Sequence, residues 1–115
     1  MNTKDIGNKG ENLTVEYLLS NNYEILVRNY RHKRCEIDII CKKDDTLVFV
    51  EVKMRNSNKY GYPEYFVSKL QQERIKTAAE NFIIDNQWNK NIRFDISSIE
   101  KQQKLYKITY FKDAF

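Results

Sequence analysis

Cysteine, histidine, proline and glycine are all scarce: two, one, one and three residues in a chain of 115. Cys35, Cys41 and His32 are too few ligands for a zinc site of the Cys/His type. The two cysteines lie on one predicted strand, roughly 20 Å apart at about 3.3 Å of rise per residue, so they cannot bridge each other and read as small core residues. Gly7 and Gly10 lack the six-residue frame and the following Lys-Ser/Thr of a phosphate-cradling loop, and they read as the start of a helix. The opening MNTKDIGNKGENL has no apolar signal core, and no run approaches the length of a membrane span. The expectation is a cytoplasmic protein with no membrane partner. Internal repeats, linkers and low-complexity tracts are also missing.

What is present suits one domain, residues 1–115, with a single core. Hydrophobic residues make up 41% and aromatics 13%, which argues against a disordered chain. Lys and Arg exceed Asp and Glu by 20 to 16, and the basic residues cluster in RNYRHKR, 28–34. A basic cluster suggests an anionic partner, although the run by itself reads slightly better as a solvated loop of a lysine-rich chain.

Helical spacing of Val15, Leu18, Leu19 and Asn22 predicts a helix over 10–21, with Glu11 turned along its buried side. Residues 23–30 read as a strand, followed by the basic loop. The polar tract 55–65, with Gly61 and Pro63, reads as a long loop. Ser68 and Gln71 form a capping box for a helix over about 69–86, whose apolar stripe is Ile75, Ala78, Ala79, Phe82 and Ile83. Two alternating strands, 92–99 and 105–111, complete the order α-β-β-β-α-β-β. The fold class is α/β, a mixed central sheet flanked by helices.

The middle of the chain, CEIDIICKKDDTLVFVEVKMR at 35–55, reads as two strands around a turn at Asp44 and Asp45. With Lys43 opposite Thr46, the register sets Ile40 against Phe49, Asp38 against Glu51 and Glu36 against Lys53. Alternation then puts Cys35, Ile37, Ile39 and Cys41 on one face, and all four charges on the other with Ile40, Leu47 and Phe49. A solvated face with a weak Glu36–Lys53 pair accounts for any one of the charges. It does not account for the large apolar residues beside them, which point to a face covered at one end. Two opposed carboxylates about 5 Å apart repel by roughly 3 kcal/mol even at an effective dielectric near 20, and a divalent cation reverses that sign. Oxygen ligands select Mg²⁺ or Mn²⁺. Such an ion turns bound water into a nucleophile and stabilises a phosphoryl transition state. Lys53 is spaced to orient that water or to neutralise developing charge.

Ile37-Asp38 followed by Glu51-Val52-Lys53 resembles the PD-(D/E)xK nuclease signature, with Ile in place of Pro. GNKGE at 7–11, CEIDII at 35–40, FVEVKMR at 49–55, RFD at 93–95 and the terminal DAF resemble, in order and spacing, the YraN-like family of bacterial proteins. That family is similar in fold to Holliday-junction resolvases, and its activity is largely uncharacterised. The resemblance implies a restriction-endonuclease-like fold, with Asp38 and Glu51 as metal ligands and Lys53 as the catalytic lysine. It also implies that Glu11 reaches the same site from a helix. Glu36 matches the family's Gly-Glu-Ile-Asp motif as an accessory residue, with Cys35 standing where the glycine usually is. Arg93 and Asp95 match the Arg-Phe-Asp stretch and read as a structural ion pair.

The sequence therefore points to a metal-dependent nuclease-like protein acting on phosphodiester bonds of branched or otherwise structured DNA, with Mg²⁺ or Mn²⁺ as cofactor. Arg28, Arg31, Lys33 and Arg34, with Tyr30 between them, are expected to hold backbone phosphates, extended by Lys42, Lys43, Arg55 and Lys59. Two other readings stand beside it: a nucleic-acid-binding module with this fold and little or no turnover, and a protein-interaction domain whose charged face is merely solvated. DNA and RNA, and monomer and homodimer, remain alternatives at this stage.

Overall fold

A computed structural model describes residues 3–55 and 67–115. Apart from Arg55, the tract expected as a long loop lies outside the described residues, and so does Lys59. The elements are α1 (Thr3–Ser20), β1 (Glu24–His32), β2 (Cys35–Lys43), β3 (Thr46–Arg55), α2 (Lys69–Asp85), β4 (Asn91–Gln102) and β5 (Leu105–Phe111). The five strands form one sheet in sequence order. Three neighbouring pairs are antiparallel and only β3–β4 is parallel, because a parallel neighbour needs a crossover and α2 provides it. This is the restriction-endonuclease-like arrangement expected from the sequence.

The three hairpins turn at Lys33, Asp44 and Gln103, with φ of 56°, 54° and 54°. Tight two-residue turns need such left-handed residues to match the twist of the strands. The basic run is thus no loop: Arg28 and Arg31 belong to β1, and only Lys33 and Arg34 form the turn. Between β2 and β3 the ladder runs from Lys43–Thr46 through Ile40–Phe49 to Ile39–Val50, which is the register read from the turn.

The sheet has a core on each face. Ile40, Leu47, Phe49 and Ile96 pack against Ile75, Ala78, Ala79 and Phe82 of α2. Ile39, Cys41, Val48 and Val50 pack against Leu18 of α1. Strict alternation fails at the start of β2, however. Cys35 and Ile37 belong to the α2 side, opposite Ile39 and Cys41, with which they were expected to share a face. At the same level, between the pairs Arg28–Ile39 and Tyr30–Ile37, Asn29 of β1 sits at φ 55°. The register is the same on both sides of it, so Asn29 is no bulge: it and Asp38 both drop out of the ladder, and its left-handed backbone re-aims the side chains around it. The bulge of this ladder lies between Ile25 and Val27.

The first helix begins at Thr3 rather than Gly10, so Gly7 and Gly10 lie inside it. Gly10 is there for close approach: a methyl group on it would meet Met54 Sδ at 2.5 Å and Val52 Cγ1 at 3.4 Å. The buried face of α1 is Gly10, Glu11, Thr14 and Leu18, while Leu19, expected to point inward, is 54% exposed. The helix is rotated towards polar partners. Thr14 Oγ1 donates to the Gly10 carbonyl at 2.9 Å and accepts from Ser97 Oγ of β4 at 2.8 Å. Asn22, at φ 68°, ends the helix, and the Tyr23 N–H closes on the Leu18 carbonyl at 3.0 Å. Among the described residues no helix is long and apolar enough to cross a membrane.

Candidate active site

Where the β2–β3 ladder stops, Asp38 takes over the pairing. Its Oδ2 accepts the Val52 N–H at 2.8 Å, so the carboxylate lies against β3 beside Glu51. Glu51 is only 8% exposed. Desolvation, then the neighbouring Asp38 charge, push its carboxyl up to about 9. Asp38 is also raised by burial, against the opposing effect of the Val52 hydrogen bond. A buried carboxylate beside a half-buried one cannot ionise cheaply, and Glu51 keeps its proton at neutral pH.

Lys53 does not neutralise this pair by direct contact. Its Nζ donates to Gln71 Oε1 of α2 at 3.1 Å, within electrostatic reach of both Asp38 and Glu51. Gln71 was read as half of a capping box. Its N–H does serve the cap, donating to Ser68 Oγ at 3.1 Å, but its side chain faces the lysine. Nothing in the sequence pairs residues 53 and 71, which only the packing of α2 on β2 and β1 brings together.

From α1, Glu11 turns inward as its helical phase predicts, and it is 7% exposed. Its Oε1 accepts from Arg28 Nε at 3.2 Å and from Asn29 Nδ2 at 3.1 Å. Burial raises its carboxyl and the Arg28 hydrogen bond opposes this, with the Asp38 charge adding to the rise. The left-handed backbone at Asn29 therefore has a second consequence, since it aims an amide at Glu11. Asparagine in the middle of a strand, where that residue is depleted, was the available signal.

Glu36 completes the acidic set, acting electrostatically on Asp38 and Glu51 while it is paired with Arg31 at 3.1 Å. All five predicted residues, Glu11, Glu36, Asp38, Glu51 and Lys53, thus gather at the open end of the β2–β3 hairpin. Among the described residues no three carboxylate, imidazole or thiolate groups stand close enough to hold a metal ion by themselves. Two abutting carboxylates nevertheless fit Mg²⁺, which is commonly bound by one or two carboxylates, substrate phosphate oxygens and waters.

The basic residues divide. Arg28 is engaged by Glu11 and also donates to Asn12 Oδ1 at 2.7 Å, and Arg31 holds Glu36. Lys42 lies 3.8 Å from Glu24, and Lys43 sits over the Tyr23 ring. Arg55 lies half-buried at the end of β3. Lys33 and Arg34 are exposed at the β1–β2 turn. Tyr30, expected among them as a phosphate-facing residue, instead packs edge-on against Phe82 and accepts a hydrogen bond from Asn81 Nδ2 at 2.7 Å. The left-handed residue before it, Asn29, breaks the alternation of β1 and leaves Tyr30 on the α2 side.

Arg93 and Asp95 stand apart from this site as a buried ion pair, Nε to Oδ1 at 2.9 Å. Tyr110 OH and the Asp113 N–H complete the Asp95 carboxylate at 2.6 and 2.9 Å. The terminal Asp-Ala-Phe is thereby docked on β4, with the Ala114 N–H on the Phe94 carbonyl at 2.7 Å and Phe115 stacked on Phe94.

Residues 10–99 match the model of the family described as "Uncharacterised protein family UPF0102". A UPF0102 protein of Caldicellulosiruptor bescii is 45% identical over 119 aligned residues, covering 100% of both chains. One from Flavobacterium psychrophilum is 41% identical over 111 residues, 96% of this chain and 93% of its own. One from Dictyoglomus turgidum is 49% identical over 100 residues, 86% of this chain and 85% of its own. With its docked C-terminal tail and its acidic cluster at the hairpin fork, the chain belongs to the uncharacterised protein family UPF0102.

Proposed function

We propose that this chain is a metal-dependent nuclease-like protein acting on phosphodiester bonds of structured, branched DNA. The observation that carries the reading is the Asp38–Glu51 pair, a half-buried and a buried carboxylate side by side, with the Lys53 ammonium within electrostatic reach. A structural ion pair would place a cation on those oxygens. Leaving them to each other is costly to folding and useful only if a cation arrives with the substrate.

Asp38 and Glu51 would hold Mg²⁺ or Mn²⁺, which supplies a Lewis acid for a phosphoryl oxygen and an acidified water. Asp38 is fixed by the Val52 N–H, so its free oxygen is oriented before any ligand binds. Lys53, steadied by Gln71, offers its charge to the phosphoryl oxygens as negative charge builds on them. Glu11, held by Arg28 and Asn29, adds a third carboxylate near Asp38.

The test is cleavage of labelled junction and flap DNA in Mn²⁺ by the wild type and by Lys53→Met. The variant is expected to fold and bind Mn²⁺ as the wild type does, while losing about 10²–10³-fold in cleavage. Cleavage that survives in Lys53→Met overturns the mechanism. Binding without wild-type cleavage, over a broad panel of DNA and RNA substrates and metals, favours the nucleic-acid-binding module.

A further inference from the structure

Beside the carboxylate pair lies a cavity of about 330 Å³ between the start of β2 and the first turns of α2. Its walls carry Arg34, Cys35 and Glu36 from one side and Ser68, Leu70, Gln71, Arg74 and Ile75 from the other. Two of these residues tie it to the site already described. Gln71 holds Lys53, and the Glu36 charge is felt by both Asp38 and Glu51. Cavity and carboxylates therefore share a wall.

The lining combines cations with apolar surface. Among the described residues no carboxylate pairs with either Arg34 or Arg74, whereas Glu36, the acid in the lining, is already paired with Arg31 outside it. Two guanidinium groups without counter-ions beside an open cavity suit a phosphate, which arginine binds through parallel N–H donors. Leu70, 57% exposed, stands in the same lining, together with the buried Ile75. Leu70 shares that lining with the two arginines and gives a sugar or base an apolar face to pack on.

Size selects within that chemistry. The volume is at the lower end of the roughly 300–1,000 Å³ usual for ligand pockets, enough for a single nucleotide and too little for a base pair. We infer that this cavity is a subsite for one unpaired nucleotide, its phosphate held by Arg34 and Arg74 and its sugar and base against Leu70. The assignment rests on the nuclease-like reading for its neighbour, since the strand leaving the cavity would pass the Asp38–Glu51 pair. A substrate with an unpaired nucleotide at a branch or flap satisfies both at once.

The experiment measures binding of a short fluorescein-labelled single-stranded oligodeoxythymidine to the full chain in EDTA, so that neither metal nor turnover contributes. Arg34→Gln and Arg74→Gln are each expected to weaken binding about tenfold and to lower the slope of log affinity against log salt by about one. Leu70→Ala should weaken binding about fivefold with the slope unchanged, because it removes packing and no charge. Lys107→Gln, an equal charge change on β5, serves as the control and should change affinity less than twofold. The assignment is overturned if the arginine variants lose no more than the control, if Leu70→Ala binds as the wild type does, or if the wild type does not bind the probe. Calorimetry with Mn²⁺ alone on the same proteins reports the carboxylate pair separately. Metal binding with no effect of the cavity variants removes the subsite and leaves the proposed metal site standing. Cavity effects without metal binding do the reverse.

Discussion

Asp95 on β4 and Glu51 on β3, beside the half-buried Asp38 of β2, are buried carboxylates within one sheet, yet their surroundings are opposite. Asp95, with no exposed surface, receives two N–H groups from Arg93, the Tyr110 hydroxyl and the Asp113 amide. Its charge in turn raises the pKa of the Arg93 side chain, and together with burial it raises that of Tyr110. Asp38 and Glu51 have one backbone N–H and each other. The first arrangement is saturated and closes the structure at its C-terminus. The second leaves negative charge uncompensated, and a protein tolerates that where a ligand is to supply the compensation.

The comparison breaks most readily at Asp95. Asp95→Ala leaves the half-buried Arg93, the Tyr110 hydroxyl and the Asp113 N–H without their acceptor and should cost about 3–5 kcal/mol, the range for breaking a buried pair; urea denaturation measures it. Tyr110→Phe removes one hydrogen bond to the same charged group and should cost about 1.5–3 kcal/mol in the same assay.

At the other carboxylates the sign reverses. Asp38→Asn should stabilise the metal-free protein at neutral pH by about 1–2 kcal/mol, in the range found when a strained functional position is relaxed, and should abolish any rise in Tm on adding Mg²⁺ or Mn²⁺. The pH dependence follows from the raised carboxyl of Glu51. Between its ordinary value of 4.5 and about 9, the folded chain keeps a proton that the unfolded chain has released. Stability of the metal-free protein therefore falls as pH rises through that window. Thermal melts in EDTA across the window should show the decline, and Glu51→Gln should flatten it; a wild-type Tm that rises over this range would contradict the proton kept on Glu51. The smallest effect belongs to the exposed pair: Arg31→Ala should cost less than about 1 kcal/mol, since Arg31 is 72% exposed, and a larger loss in urea would mean that Glu36 is integral to the fold.

Much of this molecule is written locally. The period of two in residues 46–54, the Asp44–Asp45 turn and the stripe on α2 depend on neighbours in sequence, and hence the order of elements and the hairpin register could be read directly. Glu11 was legible because helical phase is a local property, and Asp38, Glu51 and Lys53 because their spacing on a hairpin fixes their meeting.

Tertiary structure decided the rest, wherever a side chain's role depends on distant partners. Leu19 points outward because Thr14 of α1 finds Ser97, 83 residues away, and the helix rotates to satisfy that hydrogen bond. Tyr30 is turned against the α2-side core and Asn29 onto Glu11 where the left-handed backbone of Asn29 interrupts the ladder, which no period of two anticipates. The Gln71 backbone serves its helix cap while its side chain holds Lys53, because packing α2 on the sheet places that acceptor beside a half-buried ammonium. Local periodicity thus determined which elements form and which charges gather, whereas the satisfaction of buried polar groups across the fold decided how each one points.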